Sequence, residues 1–94
     1  MRQHEAWLRK EDKMDIIKRV GSFIYMYQED DTVLVAYKAP VFQKEAQNLI
    51  KERMEGLAEI VEEDIELIYN IDSVYTGIIF KAISEEKLRR ALNG

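Results

Sequence analysis

The apolar residues of this chain recur at helical spacing near its N-terminus. Six apolar positions in residues 7–20 are interleaved with basic side chains, as expected for an amphipathic helix. Gly21 predicts the end of this helix. Its start is open, because Asp12 can also cap a shorter helix of residues 13–20. In that case, residues 1–11 form a frayed N-terminal extension.

The next two segments have the composition of β-strands. Residues 22–28 and 32–39 are rich in aromatic and β-branched side chains, and alternate side chains point to opposite faces of a strand. The Glu-Asp-Asp sequence at residues 29–31 is short and polar. We therefore predict an antiparallel hairpin.

Beyond Pro40, apolar residues again recur at positions i, i+3, i+4 and i+7, as far as Val61. This pattern predicts the main helix. Gly56 interrupts it at a cost of about 1 kcal/mol relative to alanine, so the helix either bends or ends there. Because the apolar stripe keeps its phase beyond the glycine, we predict that the helix continues to Val61.

The last third of the chain predicts a second hairpin and a short helix. Residues 65–71 and 74–83 have strand composition, and Asp72-Ser73 is a turn sequence between them. Ser84 is a favourable N-cap. The residues after it place acidic side chains in the first helical turn and basic ones in the last, which complements the helix dipole.

Together these elements predict one α+β domain spanning residues 1–94, with the order αββαββα. We expect a four-stranded, mainly antiparallel sheet packed with helices. The hairpin-then-helix order occurs twice, and the two stretches align with one gap, so a duplicated ββα unit is an alternative that the pattern leaves open. The length of 94 residues leaves no room for a second independent core.

Composition narrows the class of protein. The chain is 47% hydrophobic and 34% charged and has no cysteine. No apolar run approaches the ~18 residues of a membrane helix, and the charged N-terminus lacks the apolar block of a secretory signal. We therefore expect a soluble cytoplasmic protein without disulfides or thiolate metal sites.

The residues that catalysis usually requires are scarce. The only histidine, His4, lies in the polar N-terminal segment, and no phosphate-binding or nucleophile motif is present. Two acidic runs, at residues 29–31 and 62–64, lack the spacing of a calcium loop. We predict a protein that is not an enzyme and has no catalytic residue, metal or cofactor.

The predicted strands are apolar on both faces. An antiparallel sheet with one solvated face would alternate apolar and polar side chains more cleanly. Either helices cover both faces, or the second face contacts another protein chain, because large apolar patches are rarely left exposed to water.

Charge is unevenly distributed along the chain. The net charge is −4, yet residues 1–20 carry six basic and four acidic side chains, whereas residues 62–83 carry one basic and five acidic. The net negative charge argues against binding to duplex nucleic acid, which requires concentrated Lys and Arg.

These patterns favour a non-catalytic protein–protein interaction module. We expect a small acidic accessory subunit, or an inhibitor or regulator, that forms a homodimer or binds a larger protein, including one that handles nucleic acid. Aromatic anchors and acidic selectivity residues form the predicted interface. These residues are Tyr25, Tyr27, Tyr37, Tyr75, Glu62, Glu63, Asp64 and Glu66. The alternative is a single-stranded RNA- or DNA-binding domain in which the sheet tyrosines stack on bases and the basic first helix contacts phosphates.

Overall fold

The chain has an α+β fold, which the computed structural model describes for residues 17–38, 43–70 and 73–94. These ranges contain one five-stranded antiparallel sheet and two helices. The strands are β1 (Lys18–Val20), β2 (Phe23–Tyr27), β3 (Thr32–Lys38), β4 (Ile60–Asn70) and β5 (Ser73–Lys81), and the helices are α1 (Gln43–Met54) and α2 (Glu85–Asn93). The spatial order β1-β2-β3-β5-β4 makes β1 and β4 the edge strands.

The N-terminal part of the sheet corrects the predicted first helix. Residues 18–20 form the edge strand β1, which pairs with β2 from Lys18↔Tyr25 to Val20↔Phe23. Gly21 has a φ of 64° and occupies the tight turn between the two strands, a conformation that glycine adopts at little cost. The glycine therefore marks a hairpin turn and not a helix end. Residues 1–16, which include the rest of the predicted helix and the frayed extension, lie outside the described residues.

The predicted continuation of the main helix to Val61 is also wrong. Helix α1 ends at Met54, and Gly56 follows with a φ of 78°, the left-handed conformation that commonly terminates helices. The Leu57 backbone N–H donates to the Met54 carbonyl oxygen at 3.0 Å. Strand β4 then begins at Ile60, which pairs with Phe80, because pairing with β5 supplies the backbone hydrogen bonds that a helix would otherwise provide.

Strand β4 pairs irregularly with β5. The register shifts between Ile60 and Glu62, between Glu62 and Ile65, and again near the end of the strand, and Asp64 has a φ of 57°. Such bulges bend a strand and protect an exposed edge from pairing with another chain. The last described pair is Asn70↔Ser73, so Ser73 belongs to β5 and not to the predicted turn.

Both helices pack on the same face of the sheet. Ser84 caps α2 as predicted, its hydroxyl accepting a hydrogen bond from the Lys87 backbone N–H at 3.3 Å. The main core joins this sheet face to the two helices. Its buried residues are Val20, Phe23, Tyr25, Val33, Val35, Ile50, Met54, Ile78, Phe80, Leu88 and Leu92.

The opposite sheet face carries a second apolar cluster. Its buried members are the sheet residues Ile24, Met26, Leu34, Ala36, Leu67, Tyr75 and Ile79. The strands are thus apolar on both faces, as their composition predicted. Each of these side chains is no more than 4% exposed in the single chain, so in the described residues this face does not offer the open apolar surface that the dimer hypothesis required.

Candidate interaction surface

The four tyrosines predicted at an interface do not form one exposed surface. Tyr25 and Tyr75 are only 2% and 3% exposed, and they belong to the clusters on opposite faces of the sheet. Tyr27 and Tyr37 are partly buried beside the helix-covered core. The ring of Tyr27 meets that of Tyr25 edge-on, with their centroids 6.1 Å apart. The buried tyrosines therefore contribute to packing and offer little surface to a partner.

Tyr25 also belongs to a polar cluster that joins α2 to the sheet. Its hydroxyl donates to the Glu85 carboxylate at 2.6 Å and accepts from the Arg89 guanidinium at 2.8 Å. Lys18 of β1 donates to the same carboxylate at 3.0 Å. The hydrogen bonds from Tyr25 and Lys18 hold the pKa of Glu85 below its ordinary value of 4.5. Burial and the neighbouring Glu85 carboxylate raise the pKa of Tyr25 above its ordinary value of 10.0.

The Glu85 contacts predict a contribution to stability that depends on pH. A carboxylate with a lowered folded-state pKa stabilises the fold above its unfolded-state pKa, and the effect is lost as the pH falls through the folded-state value. We expect Glu85→Gln to reduce stability at pH 7 by at most about 1 kcal/mol, because the carboxylate is partly exposed. The difference from the wild type should shrink as the pH falls below the ordinary pKa of 4.5. Urea unfolding at pH values from 3 to 7 measures this difference.

The matched control is Glu86→Gln, which changes the neighbouring carboxylate. Within the described part of the chain, Glu86 pairs with Arg90 on its own helix, and both side chains are more than 70% exposed. We expect little change in stability at any pH. If the stability difference between the wild type and Glu85→Gln is the same at pH 3 and pH 7, the assignment of the lowered pKa to these contacts is contradicted.

The four acidic residues predicted at an interface do lie together on edge strand β4. Glu62, Glu63, Asp64 and Glu66 are all exposed. Glu63 forms a salt bridge with Lys51 of α1 at 2.8 Å. Among the described strands, β4 has a neighbour on one side only, so this acidic edge is accessible to a partner.

A buried amide that the sequence interpretation missed holds this edge in place. The side-chain nitrogen of Gln47 in α1 donates to the Thr76 hydroxyl at 2.6 Å and to the Gly77 carbonyl at 3.3 Å. Its side-chain oxygen accepts from the Asp64 backbone N–H at 3.3 Å. Gln47 therefore connects α1 to β5 and to the bulged part of β4. Its spacing of three residues from Ile50 and seven from Met54, which places it on the apolar side of the helix, was the only signal of burial in the sequence.

Exposed apolar side chains adjoin the acidic edge. Leu57, Ile60 and Val61 are 41%, 38% and 50% exposed. They fall in the segment that was predicted as the buried stripe of a longer helix. Gly56, which ends the helix, was the signal that could have revealed them. The sequence thus indicated the acidic part of this surface but not its apolar part.

Negative charge is concentrated in the segment that contains the acidic edge. Residues 52–66 contain seven acidic side chains and one basic side chain, Arg53, whereas the whole chain has a net charge of only −4. Arg53 is directed towards α2 and β2, where it donates to the Leu92 carbonyl at 2.7 Å and lies 5.2 Å from the centre of the Phe23 ring. Within its own segment, the acidic charge is therefore left largely uncompensated.

The described residues place no group of three or more His, Cys, Asp or Glu side chains where it could hold a metal ion. In the same parts of the chain, no helix is both long and apolar enough to cross a membrane.

Comparison with protein-family models, curated proteins and solved structures finds no match to this chain. The acidic edge and its apolar neighbours are therefore the observations from which a function can be inferred.

Proposed function

We propose that this chain is a non-catalytic protein–protein interaction module, a small acidic accessory subunit or regulator that binds a basic surface of a larger protein. The binding surface is edge strand β4 together with the turn before it. The observation that carries the proposal is the position of the exposed acidic residues of β4 beside exposed Leu57, Ile60 and Val61.

The two kinds of residue have different roles in this proposal. Burial of apolar side chains at the centre of an interface provides most of the affinity. Carboxylates around it accelerate association with a basic partner and disfavour acidic ones. The bulges of β4 interrupt the backbone ladder, so we expect recognition through side chains and not through addition of a strand.

The other predicted activities lack support from the described residues. A homodimer formed through the second sheet face would need that face to be exposed, and it is buried. A single-strand nucleic-acid platform needs exposed aromatic rings, but Tyr25 and Tyr75 are buried and Tyr27 and Tyr37 partly so. The basic first helix of that alternative falls largely on residues 1–16, outside the described ranges. Both alternatives stay predictions.

Reversal of charge on β4 tests the proposal. We expect wild-type protein immobilised on a resin to retain a specific partner from a lysate of its source cells. The double variant Glu62→Lys/Glu66→Lys should bind that partner, once purified, at least about tenfold more weakly. Titration calorimetry at low and high salt gives the affinities, and the loss should be smaller at high salt because exposed charges are screened.

The charge-matched control is Glu45→Lys/Glu86→Lys, which reverses two exposed carboxylates at the starts of α1 and α2. It should bind the partner like the wild type. Equal affinity of the two double variants would contradict the placement of the surface on β4. If the wild type retains no specific protein, the interaction module itself is contradicted.

A further inference from the structure

A groove lies beside the acidic edge, between the C-terminal end of α1 and the start of β4. Its volume is about 630 Å³. Apolar side chains, two carboxylates and the cation Lys51 line it. The lining includes Glu52, Met54, Glu55, Ala58, Ile60 and Phe80.

The apolar part of the groove rests on the core. Met54 and Phe80 are only about 1% exposed and belong to the main cluster, so they form a fixed floor. Ile60 is 38% exposed at the wall, and Leu57 extends the apolar surface into the turn before it. An apolar side chain seated here would contact the core directly and would cover surface that is otherwise in contact with water.

The charge around the groove selects the sign of its ligand. Glu52 and Glu55 contribute carboxylates to the lining. The groove also lies at the C-terminal end of α1, where the helix dipole favours cations. Lys51, the cation of the lining, forms a salt bridge with Glu63 at 2.8 Å, which offsets its positive charge. A ligand with positive charge beside an apolar group therefore matches the groove.

We propose that this groove binds a basic amphipathic segment of a partner protein, with an apolar side chain in the groove and flanking Lys or Arg side chains beside Glu52 and Glu55. This inference rests on the proposed function and names the partner's chemistry. A segment of a protein fits better than an added strand, because the register shifts at Ile60 and Glu62 leave no continuous ladder to extend.

A synthetic peptide tests the inference on the full chain. The probe is a fluorescein-labelled 12-residue peptide with Leu at positions 2, 5, 6 and 9 and Lys elsewhere. We expect it to bind the wild type, to bind Ile60→Ser and Leu57→Ser about five- to tenfold more weakly, and to shift the amide NMR signals of residues 48–60. Fluorescence anisotropy gives the affinities.

Matched controls distinguish binding in the groove from nonspecific binding elsewhere on the surface. Val74→Ser removes an apolar side chain of similar exposure, 41%, at a position that does not line the groove, and it should bind like the wild type. A peptide with Ser in place of Leu should bind weakly, and one with Glu in place of Lys should not bind. The inference is overturned if Val74→Ser weakens binding as much as Ile60→Ser, or if the Ser peptide binds equally well. It is also overturned if the NMR shifts map elsewhere or if the peptide fails to bind.

Binding of the captured partner by the same variants distinguishes failure of this inference from failure of the proposed function. If Glu62→Lys/Glu66→Lys loses the partner but Ile60→Ser and Leu57→Ser do not, the groove is overturned and the interaction module stands. If the wild type forms oligomers in sedimentation that Ile60→Ser abolishes, the occupant is a second copy and the inference is overturned. Loss of the same partner in all three variants supports it.

Discussion

Replacement of Gly77 by alanine is expected to lower the free energy of unfolding by about 2–3 kcal/mol, as overpacking does at a tightly packed site. A methyl group built on Gly77 would lie 2.9 Å from the backbone oxygen of Val35 and 3.1 Å from a methyl carbon of Leu34. Gly77 pairs with Ala36 in the centre of the sheet. The methyl group therefore forces β3 and β5 apart locally. Urea unfolding measures the loss.

The comparison site is Gly56, where an added methyl group meets nothing within 4 Å but φ is 78°. Because the backbone is left-handed, substitution there should lower the free energy of unfolding by about 1–2 kcal/mol. Gly56→Ala and Gly56→Leu should lower it by nearly the same amount. At position 77, leucine should cost clearly more than alanine. If the loss at position 77 is independent of side-chain size, the steric explanation is wrong.

Replacement of Gln47 by methionine is expected to cost about 1–3 kcal/mol, the penalty for leaving buried polar groups without partners. Methionine has similar length, so the change removes hydrogen bonds more than volume. It leaves the Thr76 hydroxyl and the Asp64 N–H without the side-chain contacts that Gln47 provides. We expect lower stability in urea unfolding and faster hydrogen exchange of the Asp64 amide.

Gln43→Met is the matched control, because Gln43 is an exposed residue at the start of the same helix. Its stability should stay within about 0.5 kcal/mol of the wild type. Because Gln47 also contacts the acidic edge, Gln47→Met should weaken binding of the partner, whereas Gln43→Met should not. Unchanged exchange of the Asp64 amide in Gln47→Met would show that Gln47 does not hold β4.

Where local signals agreed with each other, the sequence predicted the fold closely. Strands predicted at 22–28 and 32–39 are observed at Phe23–Tyr27 and Thr32–Lys38, because strand composition and a polar turn pointed to the same hairpin. The cap at Ser84 was predicted correctly for the same reason. An N-cap, an acidic first turn and a basic last turn are all local features of one helix.

Two glycines show where local reasoning failed. Gly21 and Gly56 both adopt positive φ, which a helix stop and a hairpin turn share. Helical spacing before Gly21 and from Gly56 to Val61 suggested helix, yet residues 18–20 form a strand and strand β4 already begins at Ile60. Their conformation depends on pairing with β2 and β5, and these pairings are tertiary contacts that a periodic pattern within one segment does not contain.

The candidate surface, too, was predicted only in part from the sequence. The sequence pattern was sufficient for an α+β class, for strands apolar on both faces, and for a run of carboxylates near residue 64. The burial of Tyr25 and Tyr75, the edge position of β4 and the groove beside α1 required the assembled fold. Burial and edge position are set by which strands become neighbours, and the neighbours of β4 and β1 are chosen by packing across the whole sheet.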